Sequence, residues 1–300
     1  MSSAEVAVQV FRSLQIEDLK ILQVIETGMN KHEYVPKDEI ARHTKVPLEK
    51  IDRGLGKIDK LGLIYRMRGA YTGYTLNYSG YDCLAINAFV KAGVLEAFGK
   101  SLGVGKEADV FDALDPKGTR VAVKFHRLGR TSFRQTRRKR GYMVDHAGWL
   151  FQSRLAAEKE YTALKLVYAH GVAVPQPISQ NRHAIVMGVI EGGELGRWRE
   201  ISEPEKVLEE ILVNVKKAYL EAGVIHADLS EYNIILQPDM HVLIIDWPQF
   251  VGVDHPNAGD LLARDVKNVL DFFSRKFGVT ISSADVLDFV TGKAKTVPFK

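Results

Sequence analysis

The chain has 300 residues, 46% of them hydrophobic and 26% charged, and a formal net charge of +4. This is the composition of a globular protein long enough for two domains; no apolar run approaches the ~20 residues of a membrane-spanning helix, and the mild basicity permits an acidic partner without demanding one. The single cysteine, Cys83, excludes an internal disulfide and a multi-cysteine zinc site and points to a reducing compartment.

Residues 1–15 lack a basic start followed by a long apolar core, so no signal peptide is expected. Residues 16–29 set Ile16, Leu19, Ile21, Leu22, Val24 and Ile25 on one side of a helix. Residues 34–36 follow as an extended piece and residues 37–43 as a short helix. A second helix spans residues 48–61, with Leu48, Ile51, Leu55, Ile58 and Leu61 inward. Lys50, Arg53, Lys57 and Lys60 recur every three or four residues and line a face away from that core, while Gly54 and Gly56 weaken the helix. Residues 63–66 and 74–78 read as two strands around a glycine-bearing turn. Helix, turn, helix and hairpin form the winged helix-turn-helix pattern, in which a basic second helix and a wing contact nucleic acid. The plainer reading of the four basic residues is a solvated charged face. Residues 78–93 form a helix leading out of this domain, which is assigned residues 1–95.

The remainder, residues 96–300, divides into a nucleotide-binding lobe to residue 190 and a catalytic lobe from 191. Gly103-Val104-Gly105-Lys106 lets backbone N–H groups approach phosphates unobstructed, and Val110 falls where an apolar residue covers adenine. This pattern is weak alone. The strand Val121-Ala122-Val123-Lys124-Phe125 sharpens it, because it offers one lysine from an apolar strand, the setting in which an ammonium reaches nucleotide phosphates. Such a lysine needs an acid: Glu160, on a helix expected over residues 154–170, is the first choice and Glu158 the second. The apolar strand 184–190, with Met187 and Ile190, lies where a kinase hinge would receive adenine. Between Lys124 and Glu160, Arg127, Arg130, Arg134, Arg137, Arg138, Lys139 and Arg140 come without one acid. A solvated loop and a contact for RNA or nucleotide phosphate are both consistent with them.

In the second lobe, residues 202–205 (Ser-Glu-Pro-Glu) read as a capping box opening a helix. That helix delivers the chain into His226-Ala227-Asp228-Leu229-Ser230-Glu231-Tyr232-Asn233. Strands 234–236 and 242–245, joined by Gln237-Pro238-Asp239, then lead to Asp246. Asp228, Asn233 and Asp246 can converge at one end of a hairpin, the spacing with which protein kinases hold metal ions and orient a hydroxyl. His226 is read as a holder of loop backbone. Helices are expected from about residue 260 to 277 and from 285 to 290.

Taken together, Gly103-Val104-Gly105-Lys106-Glu107, Val123-Lys124-Phe125-His126, Gly129-Arg130-Thr131-Ser132-Phe133, the 226–233 loop and Ile245-Asp246-Trp247-Pro248-Gln249 resemble a RIO-type atypical serine/threonine protein kinase of the second, winged-helix-bearing subfamily. The resemblance implies an α+β chain, a winged helix-turn-helix domain followed by a trimmed bilobal kinase domain. It also implies ATP and Mg2+ as cofactors, a cytoplasmic role on the small ribosomal subunit precursor and its rRNA, and an aspartate that itself takes up phosphate. Lys124, held by Glu160, would fix the phosphates; Asn233 and Asp246 would hold Mg2+; Asp228 would orient the attacking hydroxyl or water. Lys50, Arg53, Lys57, Lys60, Arg130, Arg137, Arg138 and Arg140 are the nucleic-acid candidates. Ala108, Ala227 and Gly188 depart from residues usual in the family, and the short C-terminus looks archaeal. Two other readings stay open: a small-molecule phosphotransferase of the aminoglycoside or choline kinase kind, and a nucleic-acid-binding scaffold with an inactive kinase lobe.

Overall fold

The computed structural model describes residues 1–129, 146–297 and 299. By its internal packing the chain forms two compact units, Met1–Glu158 with Ile178–Met187, and Lys159–Pro177 with Gly188–Lys300.

The first unit opens with a helix that the sequence did not announce, α1 (Ser3–Val10). Ser2 Oγ accepts from Glu5 N–H while Glu5 accepts from Ser2 N–H, and Ala4 and Ala7 bury completely. The winged helix follows: α2 (Ile16–Gly28), β1 (Val35–Pro36), α3 (Lys37–Thr44), α4 (Leu48–Lys60), β2 (Ile64–Arg68) and β3 (Thr72–Leu76), with the sheet in the order β1-β3-β2. Helix α4 buries Ile51, Leu55 and Ile58. The hairpin is longer at its tip and shorter at its base than expected. Pairing continues from Ile64↔Leu76 to Arg68↔Thr72, and β3 stops at Leu76 because Asn77 turns to cap α5 (Tyr78–Lys91), its side chain accepting from Gly80 N–H at 3.0 Å.

A five-stranded sheet completes this unit: β4 (Ala97–Val104), β5 (Ala108–Leu114), β6 (Arg120–His126), β7 (Pro177–Asn181) and β8 (Ala184–Gly188), in the order β4-β5-β6-β8-β7. One apolar cluster runs from Ile25 and Leu55 through Ile86 and Phe89 to Phe111, Phe125 and Val186, so residues on either side of position 95 share a core. Between β6 and β7 the chain runs through α6 (His146–Ala169), which starts eight residues before the expected 154. Its first turns carry an exposed Phe151 and Leu155, which blur the one-sided pattern that marks a helix in sequence.

The second unit contains β9 (Gly193–Glu194), α7 (Pro204–Leu220), β10 (Val224–Ile225), β11 (Ile234–Leu236), β12 (Val242–Ile244), β13 (Val251–Gly252), α8 (Ala258–Phe277) and α9 (Ser283–Val290). The capping box expected at residues 202–205 does not form. Pro204 takes the first helical position, which makes Glu203 the cap, places Ser202 one residue too early, and leaves the cap without a side-chain hydrogen bond. Leu208, Ile211 and Leu212 of α7 pack with Ile234, Ile244, Trp247 and Phe273 in this unit's own core. The mixture of helix and sheet is the expected α+β class. Among the described residues no helix is long and apolar enough to cross a membrane.

Candidate active site

In the second unit, β11 and β12 pair antiparallel with Ile234 opposite Ile244, and Ile245 N–H donates to Asn233 O at 2.9 Å. Asn233 enters one strand where Ile245-Asp246 leaves the other, so the hairpin's register places the two side by side. Asn233 Nδ2 donates to Asp228 O at 2.8 Å, which ties Asp228 to the same end and turns the amide oxygen of Asn233 away from that bond. Asp228 is exposed, while Asn233 and Asp246 are half-buried. The structure thus brings together Asp228, Asn233 and Asp246.

The loop is held from beneath. His226 is 4% exposed and donates from Nε2 to Ile245 O at 2.9 Å, with its ring 4.6 Å from that of Trp247. Burial pushes its pKa down, so the ring is neutral and acts as a brace, as the sequence reading had it. Asp265 of α8 receives Ala227 N–H at 2.7 Å and Leu229 N–H at 3.1 Å, Arg264 Nη2 donates to Ala227 O, and Asn268 Nδ2 donates to Leu229 O at 3.1 Å. Ala227 (φ 64) and Asp246 (φ 68) both sit in the left-handed region. Neither is a glycine, and such backbone persists only where its surroundings enforce it. For Ala227 the enforcement is visible: both of its peptide groups are held by α8. Sequence reasoning missed Asp265, Arg264 and Asn268. Its available signal was an acid at position 265 within the apolar stripe Leu262, Val266, Val269.

The first unit carries the other candidates. Gly103 and Val104 end β4, and Gly105 N–H closes the turn on Ala108 O at 2.8 Å. A side chain at Gly103 would meet open space, which leaves its backbone approachable. Val104 and Lys106 are exposed and Val110 half-buried. Lys124 lies opposite Val110 across β5–β6 and is only 9% exposed. Met187 is buried on β8, the neighbour of β6. Glu160 and Ile190 belong to the second unit. Glu160 is buried (2% exposed), whereas Glu158, half out in solvent, bonds Arg154 at 2.7 Å.

The donor set suits magnesium. Among the described residues no three His, Cys, Asp or Glu side chains gather as a metal cage. One carboxylate and one amide oxygen at a strand end suit an ion that prefers oxygen and keeps water and phosphate in most of its positions.

The nucleic-acid candidates fare unequally. Lys50, Arg53 and Lys60 are exposed on α4. Lys57 instead gives its ammonium to Asp18 Oδ2 at 2.5 Å and Ser13 O at 2.7 Å, an internal tie between α4 and the start of α2. Arg130, Arg137, Arg138 and Arg140 lie outside the described residues. Arg127, which the sequence grouped with them, is 1% exposed and ion-paired to Asp82 and Asp109, so the basic run begins after it.

Comparison with known proteins is consistent with this geometry. The family model of the RIO domain matches residues 109–286, and that of the Rio2 N-terminal region matches residues 11–92. The chain is 46% identical over 254 residues to the RIO-type serine/threonine-protein kinase Rio2 of Methanocaldococcus jannaschii, covering 82% of this chain and 92% of that one. It is 35% identical to the serine/threonine-protein kinase rio2 of Schizosaccharomyces pombe, over 90% of this chain and 79% of that one. The crystal structure of the Rio2 kinase–ADP/Mg2+–phosphoaspartate complex from Chaetomium thermophilum is similar at a TM-score of 0.83 and 32% identity, covering 97% of this chain and 91% of that one.

Proposed function

This chain belongs to the RIO kinase family, in its Rio2 branch, and we propose that it acts on the small ribosomal subunit precursor through a transiently phosphorylated Asp246. It is a serine/threonine-protein kinase that uses ATP and Mg2+. The proposed setting is cytoplasmic, with the precursor's rRNA contacted through the winged helix. Neither a small-molecule phosphotransferase nor an inactive scaffold finds support among these relatives.

The observation that carries the phosphoaspartate is the hairpin register. Ile245 N–H donates to Asn233 O at 2.9 Å, one residue before Asp246 and at the end of the loop bearing Asp228, which supports Asp246 and Asn233 facing one metal ion. Hydrogen bonds hold the carbonyl of Asp228, both backbone groups of Asn233 and both of Ile245, the residue before Asp246, and positioning is most of what phosphoryl transfer requires of a protein. Magnesium bound to Asn233 and Asp246 supplies neutralisation of phosphate charge. Lys124 fixes the phosphates in this reading. An Asp246 carboxylate oxygen then bonds to the γ-phosphorus of ATP as the bond to the departing ADP oxygen breaks. In the second step Asp228 takes a proton from water, whose oxygen bonds to phosphorus while Asp246 leaves as carboxylate.

Two features of the chain favour a nucleophile inside the site. Only residues 248–257 separate Trp247 from α8, and within them β13 pairs back onto β10. No Ala-Pro-Glu segment follows to dock a peptide. The related Chaetomium thermophilum enzyme, described as a phosphoaspartate complex, supports the same reading.

The test is incubation with γ-labelled ATP followed by hydroxylamine, which cleaves acyl phosphates and spares phosphoserine. Label should be released by hydroxylamine, vanish in Asp246→Asn, and persist longer in Asp228→Ala. Label that survives hydroxylamine and remains in Asp246→Asn defeats the phosphoaspartate.

A further inference from the structure

Among the described residues, the most deeply buried charges of the first unit lie near the glycine turn. Asp82, Asp109, Arg127 and His183 are each no more than 1% exposed and form one network. Arg127 Nη2 bonds Asp82 Oδ2 at 2.8 Å, and its Nε bonds Asp109 Oδ2 at 3.1 Å. Its Nη1 donates to His126 O at 3.2 Å, and its guanidinium lies 5.0 Å from the Tyr78 ring and 5.3 Å from that of Phe125. His183 Nε2 bonds the other Asp82 oxygen at 2.6 Å, and His183 O receives His126 N–H at 2.9 Å. Burial pushes the His183 pKa down to about 4, so the ring is neutral and donates to Asp82. Among the described residues the network sets two carboxylates against one guanidinium, with the rings of Tyr78 and Phe125 beside it.

Buried ion pairs of this kind are a poor source of stability, since desolvation offsets most of the attraction; a hydrophobic replacement would serve a core as well. What this network does supply is a fixed geometry, and its location says for what. Arg127 N–H donates to Glu107 O at 2.6 Å, and its side chain holds Asp109. Glu107 and Asp109 flank Ala108, whose carbonyl closes the glycine turn on Gly105 N–H. One residue thus grips the outgoing side of the turn by backbone and by side chain. Its other arm reaches Asp82 on α5, within the stretch matched by the Rio2 N-terminal family model.

We infer that Arg127 is a positioning residue for the nucleotide phosphates, and that Asp82 tethers it so that the winged-helix region sets how firmly the glycine turn is held. The inference rests on phosphates being bound at Gly103–Gly105 and Lys124, as in the proposed function. Arg127→Met removes both arms, Asp82→Asn loosens only the α5 arm, and Arg127→Lys keeps the charge without the fork.

The experiment measures KM for ATP and kcat for phosphate release in these three variants and in Lys124→Ala, with melting curves alongside. In Asp82→Asn the KM should rise several-fold with kcat within about two-fold. Arg127→Met should raise KM ten-fold or more, with Arg127→Lys between. A purely structural role lowers the melting temperature and leaves KM of the folded protein unchanged, and that result overturns the inference. Should Arg127→Met fail to fold, Asp82→Asn decides alone. If Lys124→Ala also leaves KM and kcat intact, the nucleotide site itself has been misassigned; if Lys124→Ala is impaired while the network variants are not, only the role of Arg127 falls.

Discussion

Asp265 accepts two backbone N–H groups while nearly all of it lies out of water, and the two demands oppose each other. Burial raises its pKa, the bonds from Leu229 and Ala227 lower it, and burial prevails, leaving the group at about 6. An unfolded aspartate titrates near 4, so the native state holds this proton more tightly. The associated stability is fully present below about pH 4 and is lost as pH rises through about 6. Comparing wild type with Asp265→Asn in denaturant at several pH values isolates this residue. The difference in unfolding free energy should move against the wild type by about 1 kcal/mol between about pH 5 and pH 7. A difference that is flat, or that grows with pH, contradicts the assignment. Turnover should suffer in the variant at every pH, because an amide cannot accept both N–H groups. The same residue shows what the sequence concealed. Asp228, Asn233 and Asp246 announce themselves by spacing, whereas Asp265, Asp82 and Arg127 are recognisable only by an acid or base falling in an apolar stripe, and their partners lie dozens of residues away.

Helices were legible where apolar residues keep one period, as in α4 with Ile51, Leu55 and Ile58, and strands where a short apolar run is unbroken, as around Lys124. Legibility failed where short range gave no period, as in α1 with its two small buried alanines, or where proline moved a cap, as at Pro204. Glycines within helices were the least readable, since weakness and close packing look alike in sequence. Gly54 and Gly56 both appeared to weaken α4, yet a Cβ on Gly54 would stand 2.5 Å from Ile21 Cδ1, while one on Gly56 meets nothing within 4 Å. In α5, a Cβ on Gly80 would stand 2.2 Å from Leu63 O, a backbone atom of the wing that has nowhere to go. Chemical denaturation should therefore separate two nominally identical changes. Gly56→Ala should stabilise by about 0.5–1 kcal/mol through helix propensity. Gly80→Ala should destabilise by about 2 kcal/mol or more, because overpacking against backbone exceeds that gain. Equal effects of the two substitutions would show that α5 does not rest on the hairpin as described.

A net charge of +4 spread over 300 residues is too small to bind RNA by itself, so any such binding depends on where the charge sits. On the flank of α4 facing the hairpin, charge cancels: Asp52 pairs with Lys37 at 2.6 Å, and Asp59 and Arg66 line the same depression. On the other flank, Lys50, Arg53 and Lys60 are exposed, and Lys57 between them is already bound to Asp18. Contact with the rRNA of a small-subunit precursor is thus proposed along the α2 side of α4, with Lys57 as a structural member of an otherwise functional row. Each phosphate neutralised releases counterions, so the logarithm of the binding constant should fall linearly with the logarithm of salt concentration. Alanine at Lys50, Arg53 or Lys60 should weaken binding at low salt and reduce that slope by about 0.7–0.9 each, the contribution of one lost phosphate contact. Lys57→Ala should leave the slope nearly unchanged and lower the melting temperature instead, because it strands the buried carboxylate of Asp18. The measurement is a salt titration of small-subunit rRNA binding by fluorescence anisotropy for the four variants. A slope indifferent to all four would remove α4 from the interface, and a slope lost mainly in Lys57→Ala would mean that its pairing with Asp18 yields to RNA.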